Sequence, residues 1–113
     1  MRLGLTLLLL LLTVPPAWAD NPPEVTIAFV GDRVDPAEVP VPANVKVALK
    51  IENRSNVAME WEGKPLHREK VVAAGGKATV SIGPLKPGSY EFHDDFHPKV
   101  RGNLVVRRCS QSP

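Results

Sequence analysis

The sequence predicts a small all-β protein, a Greek-key β-sandwich made of one domain. Three observations support this fold class. The chain has 113 residues, and its 12 prolines and 8 glycines interrupt it at short intervals. Between these breaks, short segments alternate apolar and polar side chains, as strands with one buried face do. Beyond the N-terminal apolar run, no stretch has the apolar spacing of a helix of useful length.

The first 19 residues have the features of a secretory signal peptide. Arg2 provides a positive start, residues 3–14 are almost entirely apolar, and Ala17-Trp18-Ala19 places small residues where signal peptidase recognises them. The apolar run is shorter than the roughly 20 residues that a membrane-spanning helix needs. We therefore expect cleavage after residue 19, export to the periplasm, and no membrane insertion of the mature protein.

The mature part is predicted to be one domain, residues 20–108, followed by a short tail, residues 109–113. Its 13 basic and 12 acidic residues nearly balance, and its largest basic cluster is a single arginine pair, so we expect no nucleic-acid partner.

Cys109 is the only cysteine. An exported chain with one thiol forms no internal disulfide, so the fold depends on core packing. We interpret Cys109 as a solvated residue of the tail.

The predicted strands follow one another with Pro-, Gly- or Asn-rich turns between them. Residues 45–51 alternate most clearly, with Val45, Leu49 and other apolar residues on one side. Residues 39–42 include two prolines, which restrict them to a sheet edge. Gly75-Gly76 predicts a tight hairpin between the segments that flank it. In chain order, the predicted strands are residues 24–30, 39–42, 45–51, 58–62, 68–73, 78–82, 88–92 and 102–107.

The densest group of possible metal ligands is the segment His93-Asp94-Asp95-Phe96-His97, between the last two predicted strands. Strand alternation directs Asp94 inward and His93 outward. An inward carboxylate needs a cation, a hydrogen-bond donor or a metal to offset its desolvation. The alternative is a solvated turn, in which Asp side chains are common.

A second acidic pair, Glu60 and Glu62, flanks Trp61 after an Asn-rich turn. Both carboxylates point to one face of a short strand, where they serve as metal ligands or as cross-strand partners of lysine and arginine. Carboxylates with imidazole suit iron, manganese, zinc or Cu(II), whereas Cu(I) prefers sulfur. Glu69 is a further, less favoured candidate for a metal ligand. We interpret His67 as a surface residue and Trp61 as a core aromatic.

The motif Y-x-F-x-D-x-x-H-P-x-V, residues 90–100, resembles the copper loop of small cupredoxins in the short form of amicyanins. The resemblance implies a cupredoxin-like fold in which Asp94 stands at the position of the cysteine ligand, His97 at that of the histidine, and Val100 at that of the axial methionine. A blue-copper centre needs a thiolate in its His₂Cys plane. The sequence therefore excludes that function, because Cys109 lies beyond the final strand.

The motifs N-x-S-x-x-A-M-E-W-E, residues 53–62, and L-x-P-G-x-Y, residues 85–90, resemble the cupredoxin-like domain of EfeO-type periplasmic iron-uptake proteins. They also resemble stand-alone periplasmic proteins that accompany ferrous iron permeases. The resemblance covers residues 39–106 and implies metal binding in iron acquisition, with an iron or copper ion bound. Transferred by position, its proposed ligands are Glu60, Glu62, Asp94, Asp95 and His97. Our first choice of ligands is Glu60, Glu62, Asp94 and His97, with Asp95 and His93 as second choices.

We therefore expect a periplasmic metal-binding accessory protein rather than a stand-alone enzyme. It assists ferrous iron oxidation or hands iron to a membrane iron permease, together with other periplasmic iron-uptake proteins. Two alternatives remain open: a metal-free cupredoxin-like module that contacts a partner protein, and a copper-binding periplasmic protein. The metal hypothesis requires the Glu-Trp-Glu segment and residues 93–97 to meet closely enough to share one ion.

Overall fold

The computed structural model describes residues 21–108, which form nine β-strands and one short 3-10 turn. The 3-10 turn, at Lys64–Leu66, directly follows the fifth strand. The strands are β1 (Glu24–Val30), β2 (Arg33–Asp35), β3 (Glu38–Pro42), β4 (Val47–Asn53), β5 (Met59–Gly63), β6 (Arg68–Val72), β7 (Lys77–Ile82), β8 (Gly88–Asp94) and β9 (His97–Arg107).

The strands form two sheets that pack face to face as a Greek-key β-sandwich, which confirms the predicted fold class. The four-stranded sheet has the order β2-β1-β4-β7, and the five-stranded sheet has the order β3-β9-β8-β5-β6. β1 pairs parallel with β4, and β3 pairs parallel with β9, whereas the other pairs are antiparallel. β3, with its two prolines, lies at a sheet edge as predicted.

The core lies between the sheets and contains the alternate apolar residues of each strand. Leu49 of β4, Trp61 of β5 and Phe92 of β8 are all fully buried. The ring of Phe92 contacts Phe29 edge-on at 6.2 Å between centroids and Trp61 at 6.1 Å. Burial of a leucine or phenylalanine side chain such as Leu49 or Phe92 stabilises the fold by roughly 1.5–3 kcal/mol. These contacts fix how the two sheets face each other, and so where the outward residues lie.

The predicted strand boundaries differ from the observed ones in a few places. β4 begins at Val47, and Val45, which is 41% exposed, precedes it. β2 is not among the predicted strands, because three residues are too few to show alternation. β8 and β9 reach Asp94 and His97, so the connection between them is only Asp95-Phe96.

The predicted hairpin at Gly75-Gly76 is wrong. β6 belongs to the five-stranded sheet and β7 to the four-stranded sheet, so the turn crosses from one sheet to the other. The side chain and backbone of Asn53 hold this crossing in place. Asn53 Nδ2 donates to the carbonyls of Val72 and Ala73, both at 3.1 Å. The backbone N–H of Asn53 donates to Gly76 O at 2.9 Å. The chain does turn here, with Gly76 N–H donating to Ala73 O at 2.9 Å, but the strands that the turn joins do not pair with each other.

Within residues 21–108, no helix has the length and apolar character that a membrane crossing requires. The predicted signal peptide and the predicted tail with Cys109 lie outside the described residues.

Candidate metal centre

The two acidic segments lie on neighbouring strands of the five-stranded sheet. β5 and β8 pair antiparallel, with Trp61 opposite Asp94 and Glu62 opposite His93. Trp61 and Asp94 are buried between the sheets, so alternation directs Glu62 and His93 to the outer face. The sheet register thus brings together two segments that are far apart in the sequence.

Three side chains converge on this outer face. His93 Nε2 lies 3.4 Å from Glu62 Oε1 and 3.2 Å from Asp95 Oδ1. One ligand atom of each residue lies within 4.8 Å of the others. Metal–ligand bonds of about 2 Å place neighbouring ligand atoms about 3 Å apart, so small side-chain movements would bring all three onto one ion. In the metal-free protein, His93 Nε2 can instead donate its hydrogen to Asp95 Oδ1.

Two further carboxylates, Glu60 and Glu69, extend this cluster. Glu69 of β6 lies opposite Glu62 across the β5–β6 pair. Partial burial raises the pKa of Glu60, and repulsion from the carboxylates of Glu69, Asp95 and Glu62 raises that pKa further, as does a hydrogen bond with Asp95. A bound cation would replace this repulsion by attraction. We call this cluster the acidic face; it consists of Glu60, Glu62, Glu69, His93 and Asp95.

An open depression of about 300 Å³ borders the acidic face. His67 lies beside it in a left-handed backbone conformation, φ 54°, at the end of the 3-10 turn. His67 is exposed, as predicted. The depression is lined by Glu62, Lys64, His67, Arg68 and Glu69. Glu62 and Glu69 are therefore accessible to an ion from solvent.

Asp94 and His97 form a separate group where β8 turns into β9. Asp94 is 4% exposed, and its Oδ2 lies 2.7 Å from His97 Nδ1. Its Oδ1 accepts hydrogen bonds from the N–H groups of Glu60 and Phe96, both at 3.0 Å. The residues predicted as ligands thus fall into two groups, Asp94 with His97 at this turn and Glu60, Glu62, His93 and Asp95 on the acidic face. That any of them binds a metal stays a prediction.

The turn does not fit the blue-copper centre of the proteins that its sequence resembles. Asp94 stands where that resemblance places the thiolate, and protein donors already occupy both of its oxygens. Val100, at the position of the methionine, is 6% exposed and packs in the core without a sulfur to offer. A His₂Cys copper plane requires a thiolate ligand, so these residues cannot form it.

His93 and Asp95 have a larger part in the cluster than the sequence predicts. Their spacing of two residues puts them on one face of β8 and its extension, and Glu60 and Glu62 share a face of β5 by the same rule. This periodicity was visible in the sequence. The register that sets Glu62 opposite His93 was not, because no local pattern encodes it.

Known proteins resemble this chain in sequence and in fold. A family model described as the cupredoxin-like domain matches residues 3–106. An uncharacterised protein from Rickettsia prowazekii (strain Madrid E) is 36% identical over 87 residues, which cover 77% of this chain and 70% of that protein.

Two solved structures, a Cu(I)-bound domain and a blue copper protein, share the fold. The metal-binding domain of the Cu(I)-exporting P-type ATPase CopA of Streptococcus pneumoniae, with Cu(I), has a TM-score of 0.66 at 14% identity, over 75% of this chain and 85% of that domain. Auracyanin A, a blue copper protein from Chloroflexus aurantiacus, has a TM-score of 0.63 at 17% identity, over 77% of this chain and 100% of auracyanin. The structural likeness concerns the fold alone, and the family model adds the sequence relationship: this chain belongs to the family of cupredoxin-like domains.

Proposed function

We propose that the protein is exported to the periplasm, binds a transition-metal ion on its acidic face, and serves iron acquisition. The observation that carries the proposal is the convergence of Glu62, His93 and Asp95, with ligand atoms within 4.8 Å of one another. The raised pKa of Glu60 supports it, because partial burial and then repulsion from the neighbouring carboxylates disfavour the charge of Glu60, and a cation would relieve that repulsion. The signal-like N-terminal segment supports export.

The oxygen-rich composition of the acidic face favours iron among the candidate ions. Carboxylates with one imidazole are hard ligands that suit ferrous and ferric iron. Such a negative site stabilises Fe(III) more than Fe(II), because the higher charge gains more Coulomb energy. A protein of this kind assists ferrous oxidation, or holds iron until a membrane iron permease accepts it. The resemblance to EfeO-type periplasmic iron-uptake proteins supports the same process.

Copper binding is the second candidate function. The similar solved structures include a Cu(I)-bound domain and a blue copper protein. Among divalent first-row ions, Cu(II) binds nitrogen and oxygen ligands most tightly. Because the acidic face consists of carboxylates and one imidazole, the copper form that suits it is Cu(II) rather than Cu(I).

Metal titration of the mature protein, residues 20–113, tests the proposal. Isothermal titration calorimetry with Fe(II) under nitrogen, weakly chelated Fe(III), Cu(II) and Zn(II) would compare wild type with Glu62→Gln, His93→Gln and Asp95→Asn. We expect submicromolar iron binding by wild type. Each variant should bind at least about 100-fold more weakly, the upper end of what loss of a metal's supporting residues costs.

Glu52→Gln is the matched control, because it removes a partly buried glutamate from the outer face of the other sheet. It should bind metal as wild type does. Tight Cu(II) binding without iron binding would favour the second candidate. Wild type that binds none of the four ions would contradict both and leave a metal-free module that contacts a partner protein. If Fe(II) oxidises in air at the same rate in the presence of wild type and of Glu62→Gln, the proposed role in iron oxidation is contradicted.

A further inference from the structure

We infer that Asp94 and His97 position the acidic face instead of binding its metal ion. Together they form a hydrogen-bonded clasp, defined by the Asp94 carboxylate, His97 Nδ1 and the N–H groups of Glu60 and Phe96. The clasp holds the Asp95-Phe96 turn against β5. The part of this inference that concerns metal affinity rests on the proposed function, whereas the clasp itself can be tested without metal.

The Asp94 carboxylate is occupied by protein donors. Oδ1 accepts from Glu60 N–H and Phe96 N–H, both at 3.0 Å, and Oδ2 lies 2.7 Å from His97 Nδ1. A carboxylate offers about four acceptor positions, and three are used here. Because an ionised carboxylate only accepts, His97 Nδ1 carries the hydrogen in this contact. These three donors offset the desolvation of a side chain that is 4% exposed, so Asp94 needs no metal.

The clasp fixes Asp95 relative to Glu60. Glu60 N–H donates to Asp94 Oδ1 at 3.0 Å, and Glu60 O accepts from Asp95 N–H at 2.8 Å. Both backbone groups of Glu60 are thus held by consecutive residues at the end of β8. The pairing of β8 with β9 is irregular between His93 and Asp94 and ends with Asp94 opposite His97, so the contacts with Glu60 add to that pairing and hold the turn against β5.

The position of Asp95 decides whether three ligands can meet. Asp95 is exposed and lies in a two-residue turn, yet its Oδ1 is 3.2 Å from His93 Nε2. Glu62 and His93, by contrast, lie on paired strands and are held by the sheet. If Asp94 loses its carboxylate, the Glu60 and Phe96 N–H groups lose their acceptor and the turn can move away from β5. Metal affinity then falls because one of three ligands is no longer held in place.

A pair of substitutions at Asp94 distinguishes positioning from ligation. In Asp94→Asn, the amide oxygen can still accept from both N–H groups, and the NH₂ can donate to His97 Nδ1 once the imidazole hydrogen moves from Nδ1 to Nε2. The charge that a metal ligand supplies is lost. In Asp94→Ala, the whole clasp is lost. With Zn(II) as the probe, we expect Asp94→Ala to bind about 10–100-fold more weakly than wild type. Asp94→Asn should recover most of that loss, whereas Asp95→Asn, which alters a direct ligand, should not bind tightly.

Amide hydrogen exchange of the metal-free protein tests the clasp independently. The N–H groups of Glu60 and Phe96 should be protected in wild type and in Asp94→Asn, and should exchange at least about tenfold faster in Asp94→Ala, which removes their acceptor. The increase should be smaller in His97→Ala, where Asp94 Oδ1 remains but the contact that orients the carboxylate is lost. If Asp94→Ala does not fold, wild type, Asp94→Asn and His97→Ala still give the comparison.

Failure of this inference and failure of the proposed function give different experimental results. Loss of Zn(II) affinity in Asp94→Asn as severe as in Asp95→Asn would make Asp94 a ligand and overturn the inference. Unchanged protection of Glu60 and Phe96 in both Asp94→Ala and His97→Ala would overturn the clasp. If wild type binds no metal while the protection pattern is as expected, the proposed function fails and the clasp remains as a device that orders the turn.

Discussion

Each sheet has a partly buried glutamate on its outer face, and the two glutamates lie in opposite electrostatic surroundings. On the four-stranded sheet, Arg54 Nη2 donates to Glu52 Oε1 at 2.8 Å. This hydrogen bond is the main cause that lowers the pKa of Glu52; partial burial opposes it, and the charges of Arg54, Lys77 and Lys50 add to it. On the five-stranded sheet, partial burial and neighbouring carboxylates raise the pKa of Glu60.

The difference lies in the neighbours and not in the strands. Glu52 and Glu60 are both outward, partly buried residues of paired strands. Arg54 and Lys50 lie two residues from Glu52 along the chain, and the sheet register adds Lys77 opposite it, so its charge is compensated within the fold. The charges that act on Glu60 are carboxylates, and a fold tolerates such repulsion only at a cost. We therefore interpret the first face as structural and the acidic face as one that a cation completes.

The largest effect that we expect from this difference is stabilisation by metal. An ion present at about 100 times its dissociation constant should stabilise wild type by about 2.7 kcal/mol, because it binds only the folded state. Glu62→Gln should lose nearly all of this stabilisation at the same ion concentration, and Glu52→Gln should keep it. Thermal unfolding with and without Zn(II) measures the shift. An equal shift in Glu62→Gln and wild type would contradict the assignment of the acidic face.

A second, smaller effect should follow from making the structural face acidic. Arg54→Glu replaces the main partner of Glu52 with a like charge, so the pKa of Glu52 should rise and the metal-free protein should be less stable at pH 7 than wild type. Because this change adds no imidazole, Zn(II) affinity should stay within about threefold of wild type. Arg54→Gln, which removes the partner without adding charge, should destabilise less in urea unfolding. A new tight Zn(II) site in Arg54→Glu would mean that carboxylates alone suffice.

The smallest effect concerns the pH dependence of the metal-free protein. The pKa of Glu60 is raised in the folded state, so the stability linked to its protonated form is present below the unfolded pKa and is lost as pH rises through the folded pKa. Glu60→Gln should therefore be slightly more stable than wild type at pH 7, because the remaining carboxylates of Glu62, Glu69 and Asp95 no longer repel a charge there.

Glu52→Gln should show the opposite sign. The pKa of Glu52 is lowered, so its contribution is present above the unfolded pKa and is lost as pH falls through the folded pKa. The variant should be slightly less stable than wild type at pH 7 and should approach wild type in acid. Urea unfolding at about pH 3 and pH 7 measures both variants. A shift of the same sign at pH 7 in Glu60→Gln and Glu52→Gln would contradict the contrast between the two faces.

The direction of each side chain could be predicted from the sequence more reliably than the pairing of strands. The inward direction of Phe92 and Asp94 and the burial of Trp61 are confirmed, since a period of two along a strand is a local property. The hairpin at Gly75-Gly76 is wrong, because two glycines permit a tight turn without determining which strands pair across it. The same limit applied to the site: the sequence favoured Glu60, Glu62, Asp94 and His97 as ligands of one ion. Only the cross-strand register set Glu62 beside His93.

Residue identity and strand periodicity were enough to establish the all-β fold class, the inward direction of Asp94, and the lack of a thiolate at the copper position. These conclusions depend on side-chain chemistry and on neighbours within a few residues. The tertiary structure alone decided that Glu62, His93 and Asp95 meet on one outer face and that Asp94 binds the backbone of Glu60. Such contacts join segments far apart in the chain, and they depend on the β5–β8 register, which pairs Trp61 with Asp94 and is not a local property of either strand.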